Sequence, residues 1–162
     1  DLGRMLVTTF DNPWYYMLRF DVGDLGHIDK AQKCPCGRDN GYILSSVEGR
    51  FINATLTCDG NLVTLRRVDE AVSTIDDIDE YRLEQPSHGA YILYLVTPRR
   101  DKYKVTKEAA NVLRQLYGKT ADISVVFEES LSPEDSGKYC LVKPLFSLDI
   151  HDFLDTAGVL DK

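Results

Sequence analysis

Basic residues are scarce in this chain. Its 162 residues include 19 Lys and Arg against 26 Asp and Glu, a formal net charge of −7. A nucleic-acid binder needs a basic face to displace counterions, so nucleic acid is not an expected partner. An anionic membrane surface is excluded on the same ground. No apolar run is long enough to span a bilayer, the best being Ala90–Val96. No basic stretch leads into an apolar one in the manner of a secretory signal. With three His there is no His-rich metal cluster. There is no Walker pattern and no GxGxxG, so the phosphate-cradling loops are missing. No Ser-His-Asp order stands out. A self-contained enzyme is hard to build from these residues.

What is present is ordinary for a globular protein. The chain is 43% hydrophobic and 28% charged, which excludes bulk disorder. Four cysteines occur, at 34, 36, 58 and 140. Cys34 and Cys36 stand too close for an ordinary disulfide, and reduced thiols in a cytoplasmic protein are expected. The chain runs from Asp1 almost directly into a strand, which reads as an excised piece with an N-terminal part upstream.

Residues 1–49 read as β-rich. Strands are expected over Met5–Phe10 and Trp14–Phe20 around an Asn-Pro turn, giving a hairpin. Loops are expected over Asp21–Gly26 and Lys33–Gly41, then a strand over Tyr42–Val47. After Gly49-Arg50 the rhythm changes. Phe51–Thr57 reads as a strand. Leu65, Val68, Val72 and Ile75 fall at helical spacing. Asp79–Gln85 and Ala90–Thr97 read as strands. Thr106 opens a helix with Ala109, Val112, Leu113, Leu116 and Tyr117 on one face, stopped at Gly118. Asp122–Phe127 is the last strand. The expected fold class is therefore α+β. A small β-rich segment precedes a ferredoxin-like antiparallel sheet, formed within residues 61–128, with two helices on one face. The expected organisation is 1–49, 50–145 and an acidic tail, 146–162, that forms a short docking helix or frays.

Three features can carry chemistry. Asp24 closes the strand-and-loop run Arg19–Leu25, and a carboxylate fixed at a turn can accept two hydroxyl protons from a ribose diol. Arg50 stands where the composition changes and can fork to a phosphate or carboxylate. Lys138 ends the small-residue loop Leu131–Lys138 and could swing onto an anion. Each also reads as an ordinary solvated residue of a turn or loop. Cys34 and Cys36, on a Pro-Gly knuckle, form half of a tetrahedral zinc site, with His27 the nearest further ligand.

In order, Phe20-Asp21-Val22-Gly23-Asp24, Cys34-Pro35-Cys36-Gly37-Arg38, Gly49-Arg50 and Ser136-Gly137-Lys138 resemble the acyl-adenylate-forming enzymes. The resemblance is greatest to the phenylacetate-CoA ligase group, and it covers about residues 3–143. Phe20 and Val22 replace the family's Tyr and Thr, and Phe51-Ile52-Asn53 stand where an acidic hinge residue is usual. The resemblance implies the C-terminal lid portion of an ATP-dependent carboxylate-CoA ligase, inactive alone. Asp24 would bind ribose hydroxyls, Arg50 ribose or phosphate, and Lys138 the carboxylate and α-phosphate. ATP, Mg²⁺ and CoA would serve the full-length enzyme, with an aryl or acyl carboxylic acid as substrate. Two alternatives remain open on the residues. One is a small-ligand-binding or regulatory ferredoxin-like module, able to homodimerise through an exposed sheet edge. The other is an acyl-protein synthetase relative.

Overall fold

The computed structural model describes residues 2–29, 36–37, 43–134, 137 and 139–154. These fall into two units. The first comprises the described residues of Asp1–Phe51 and Asp149–Lys162, the second Ile52–Leu148.

In the first unit, β1 (Leu2–Val7), β2 (Phe20–Asp29) and β3 (Ile43–Arg50) form an antiparallel sheet in the order β1-β2-β3. Two expectations are corrected here. Residues 14–19 are not a strand, and the segment expected as the loop Asp21–Gly26 lies inside the ten-residue β2. The partner of β1 thus begins at Phe20, where Val7 pairs with it. The excursion between them is organised by side chains instead. Asn12 Oδ1 accepts from the Trp14 and Tyr15 N–H groups at 3.0 and 3.1 Å. Thr9 Oγ1 donates to Tyr15 O at 2.9 Å and accepts from the Met17 N–H at 3.1 Å. Asn and Thr side chains offer the backbone such local partners, and these replace a strand ladder. Phe10, Trp14 and Tyr16 project outward, 91%, 86% and 85% exposed. A 3₁₀ turn over Ile150–Asp152 is capped by Asp149, whose carboxylate accepts from the His151 N–H at 2.9 Å.

The second unit opens with a 3₁₀ turn, Phe51–Asn53, that overlaps the first by one residue, followed by a two-stranded hairpin of β4 (Thr55–Leu56) and β5 (Leu62–Val63). Phe51–Thr57 is therefore not one strand. Helix α1 (Leu65–Val72) starts at Thr64, whose hydroxyl accepts from the Arg67 N–H. Helix α2 (Lys102–Tyr117) starts four residues earlier than Thr106, because Asp101 caps it through the Lys104 N–H at 3.0 Å. The main sheet has the order β8-β7-β6-β9, from β6 (Glu80–Ser87), β7 (Ala90–Val96), β8 (Asp122–Phe127) and β9 (Val142–Pro144).

That sheet is mixed, not antiparallel. β6 and β7 form the expected hairpin, but β7 pairs parallel with β8 and β6 parallel with β9. The route through α2 carries the chain from β7 to its neighbour β8, as a parallel pair requires. The fourth strand is β9, outside residues 61–128, while Leu62–Val63 pairs only with β4. Leu83, Tyr91, Leu93, Leu95 and Val142 alternate onto one face and pack with Val68, Val72, Val105, Ala109, Leu113 and Tyr117 of the two helices. This is the period-2 and period-3.6 matching that builds a helix-on-sheet core.

One buried polar group ties the hairpin to this core. Gln85 is fully buried, yet its amide accepts from the Leu56 N–H and donates to Leu56 O, both at 2.9 Å. It thus stands in for a neighbouring strand. Tyr91 OH adds a 2.6 Å bond to Leu56 O, and Tyr117 OH pairs with Thr55 Oγ1 at 2.7 Å. The two tyrosine rings stack with centroids 4.1 Å apart. Burial pushes both phenols above their ordinary range.

Candidate functional site

The candidate residues of the first unit converge on irregular stretches of its sheet. Along β1 and β2, Arg4 pairs with Leu25 and Leu6 with Asp21. Met5 alone therefore stands opposite Val22, Gly23 and Asp24. Along β2 and β3, Leu25 pairs with Gly49 and Gly26 with Val47, so Glu48 is an extra residue. Bulges of this kind bend a strand and re-aim side chains. Gly23 and Gly49 adopt φ of +80° and +90°, which β-branched or bulky residues would hold only under strain. Leu25, beside Asp24, is buried and anchors the strand.

Asp24 and Arg50 are direct register partners on adjacent strands. Asp24 Oδ1 lies 3.9 Å from Arg50 Nε, with the side chains 34% and 55% exposed. This is an ion pair, but too long for a hydrogen bond. Among the described residues the Asp24 carboxylate accepts no hydrogen bond. Its acceptor sites and the Arg50 N–H donors are open to solvent and to a ligand. A carboxylate that accepts and a guanidinium that donates, side by side, suit a group carrying hydroxyls next to an anion.

Arg4 and Asp21 complete the arrangement; Asp21 stands within the motif Phe20–Asp24 but neither residue is assigned a role from the sequence. Arg4 Nη2 donates to Asp21 Oδ2, and Asp21 Oδ1 accepts from the Gly23 N–H at 2.9 Å. The Asp-x-Gly spacing of residues 21–23 is the signal that could have found this turn.

Lys138 and Cys34 lie outside the described residues. Cys36 is exposed. Among the described residues no group of three or more His, Cys, Asp or Glu could hold a metal ion, and no helix is long and apolar enough to cross a membrane.

The stretch leading toward Lys138 is tied to the second unit's sheet. The Leu131 N–H donates to Glu80 Oε2 at 3.0 Å, and Lys143 Nζ pairs with Glu134 Oε1 at 2.9 Å. The Gly137 N–H donates to Glu134 O at 2.7 Å. Beside it, a cavity of about 200 Å³ is lined by Arg82, Glu84, Glu134, Cys140 and Lys143, among others. Arg82 lies over the Tyr94 ring at 4.6 Å, and Tyr94 OH donates to Glu84 at 3.3 Å. Burial pushes the Cys140 thiol up, and Glu134 adds to the effect.

No family model matches the chain, and no curated protein matches it. Solved structures do. One is an open conformation of 2-hydroxyisobutyryl-CoA ligase in complex with 2-HIB-AMP and CoA. It matches 88% of this chain and 32% of its own at 18% identity and a TM-score of 0.54. The fold is one that adenylate-forming ligases share. A second match comes from a study of fatty acyl-adenylate ligases from E. coli and L. pneumophila. It covers 74% of this chain and 20% of the other, at 18% identity and a TM-score of 0.51. An ATP-bound RpMatB-BxBclM chimera matches over 75% of this chain and 23% of its own, at 18% identity and a TM-score of 0.50. The chain thus spans between 20% and 32% of the length of these ligase structures.

Proposed function

We propose that the chain is the C-terminal lid portion of an ATP-dependent carboxylate-CoA ligase of the phenylacetate-CoA ligase type. The observation that carries this reading is the Asp24–Arg50 pair. Two residues chosen for their chemistry, far apart in sequence, are register partners with open acceptor and donor groups. The shared fold of acyl-CoA and acyl-adenylate ligases supports it.

In this reading residues 1–49 are the end of a large adenylate-binding domain, 50–145 the lid and 146–162 a tail. Asp24 accepts hydrogen bonds from the ribose hydroxyls. Arg50 donates to the ribose or phosphate. The substrate carboxylate attacks the α-phosphorus, the bond to the β-phosphate breaks and pyrophosphate leaves. Lys138 supplies a cation against the charge developing at that phosphorus. The lid then turns, the thiol of CoA attacks the acyl carbon and AMP leaves. Mg²⁺ would bring Lewis-acid stabilisation of the phosphates, and zinc at Cys34 and Cys36 would be structural. Among the described residues no three His, Cys, Asp or Glu side chains gather to hold either ion.

The test is carboxylate-dependent exchange of labelled pyrophosphate into ATP by the full-length polypeptide, screened across aryl and alkyl acids. Exchange with at least one acid supports adenylation, and CoA-thioester formation then identifies the acceptor. No exchange with any acid overturns the reading.

A further inference from the structure

Asp24 sits in a stretch of β2 that pairs with β3 at Arg50 but has no partner on β1. Between the Leu6–Asp21 and Arg4–Leu25 pairs, three residues of β2 stand opposite one residue of β1. Pairing of those three with β1 is interrupted, although Asp24 keeps its partner Arg50 on β3, and Gly23 holds φ +80°. Such a bulge can take more than one shape unless something closes its neck.

Asp21 and Arg4 close it. Arg4 is the register partner of Leu25, at the far end of the bulge, yet its guanidinium reaches back to Asp21 at the near end. The other oxygen of the same carboxylate accepts from the Gly23 N–H at 2.9 Å. One side chain thereby fixes the strand across the neck and the turn within it. The residue after Gly23 is Asp24.

We propose that Arg4 is a positioning residue: through Asp21 it closes the bulge of β2 and sets the direction of the Asp24 carboxylate. The placement of Asp24 stands on the geometry. The consequence for a ribose diol rests on the function proposed above.

The experiment is amide hydrogen exchange by NMR on this chain, with Arg4→Met, Arg4→Lys and Asp21→Asn variants. The expected result for Arg4→Met is Gly23 and Asp24 amides exchanging about fivefold faster, the scale of one part-exposed ion pair. Gly26, Val47 and the β7 amides should be unchanged. Arg4→Lys, which keeps the charge, should restore part of the protection. Asp21→Asn keeps the acceptor for Gly23 but weakens the clasp, so it should fall between. Unchanged Gly23 exchange in Arg4→Met overturns the proposal. So does loss of protection throughout the first sheet, because Arg4 is then only a general structural residue. A parallel measurement of AMP binding by the full-length polypeptide and its Asp24→Ala variant separates the two claims. If both bind AMP equally, the ribose reading of Asp24 fails while exchange still decides the role of Arg4.

Discussion

Asp24 and Arg50 face each other across β2 and β3, 3.9 Å apart and not hydrogen-bonded to one another. The spacing matters more than the pairing. Had the two closed into a bidentate salt bridge, each would have spent its hydrogen-bonding capacity on the other. Held apart on two bulged strands, both remain available. The pair is also part-exposed, so it contributes little to stability. Substituting Arg50 by Met should leave the melting temperature within about 0.5 kcal/mol equivalent of the parent, as is usual for surface positions. A thermal melt checks this, and a large loss would mean that Arg50 is a structural residue.

Under the proposed ligase function, Lys138 should separate the two half-reactions of the full-length polypeptide. Lys138→Ala is expected to slow adenylate formation by orders of magnitude. Thioester formation from a supplied acyl-adenylate should be much less affected, and the melting temperature should hardly move. Equal slowing of both half-reactions, or of neither, removes the catalytic role.

Gln85 carries a different kind of weight. Replacing it with Leu leaves the part-buried Leu56 N–H without its acceptor, while Leu56 O keeps Tyr91 OH. The expected cost is about 1–3 kcal/mol, read as a lower urea midpoint at an unchanged m-value. A neutral result would show that the hairpin does not depend on this side chain.

Acid sensitivity should pass partly through Glu108. A hydrogen bond from Arg99 Nη1, at 2.6 Å, holds its carboxyl below the ordinary value of 4.5. A depressed carboxylate contributes stability above its unfolded value, and that contribution fades as pH falls through the lower folded value. Melting temperatures of Glu108→Gln and the parent should therefore converge as pH drops below 4.5. A constant difference across that range would contradict the linkage.

Thiol chemistry gives a simple check of burial. Cys36 is exposed, whereas Cys140 is half-buried with its thiol pushed up by desolvation and Glu134. At neutral pH iodoacetamide should label Cys36 well before Cys140, since only the thiolate reacts. Peptide mass spectrometry would show equal rates if Cys140 were accessible.

Much of the second unit was legible in the sequence. The apolar spacing of Val68 and Val72, of Ala109 and Leu113, and the alternation along Ala90–Val96 follow the periods that define a helix and a strand. Sheet connectivity was not legible. β9 has only three residues, one of them Pro144, and so gives no alternating signal, and its parallel pairing with β6 is non-local. In the first unit, glycine content misled. Gly23 and Gly26 mark a loop by composition, yet here they serve a bulged strand whose irregularity is what presents Asp24. Asp24 and Arg50 could be named as candidates, but chemistry alone read each as an ordinary solvated residue, and the order of the motifs singled them out. Their adjacency, and the part played by Arg4, needed the register.

The most direct test of the central claim uses the nucleotide's own hydroxyls. Adenylation by the full-length enzyme would be measured with ATP and with 2′,3′-dideoxy-ATP, for the parent and for Asp24→Ala. A charged acceptor of this kind is worth about 1.5–3 kcal/mol. The parent should therefore prefer ATP by roughly tenfold or more in kcat/KM. Asp24→Ala should lose most of that preference by falling on ATP alone. A variant that still prefers ATP as strongly as the parent would contradict the assignment of Asp24 to the ribose.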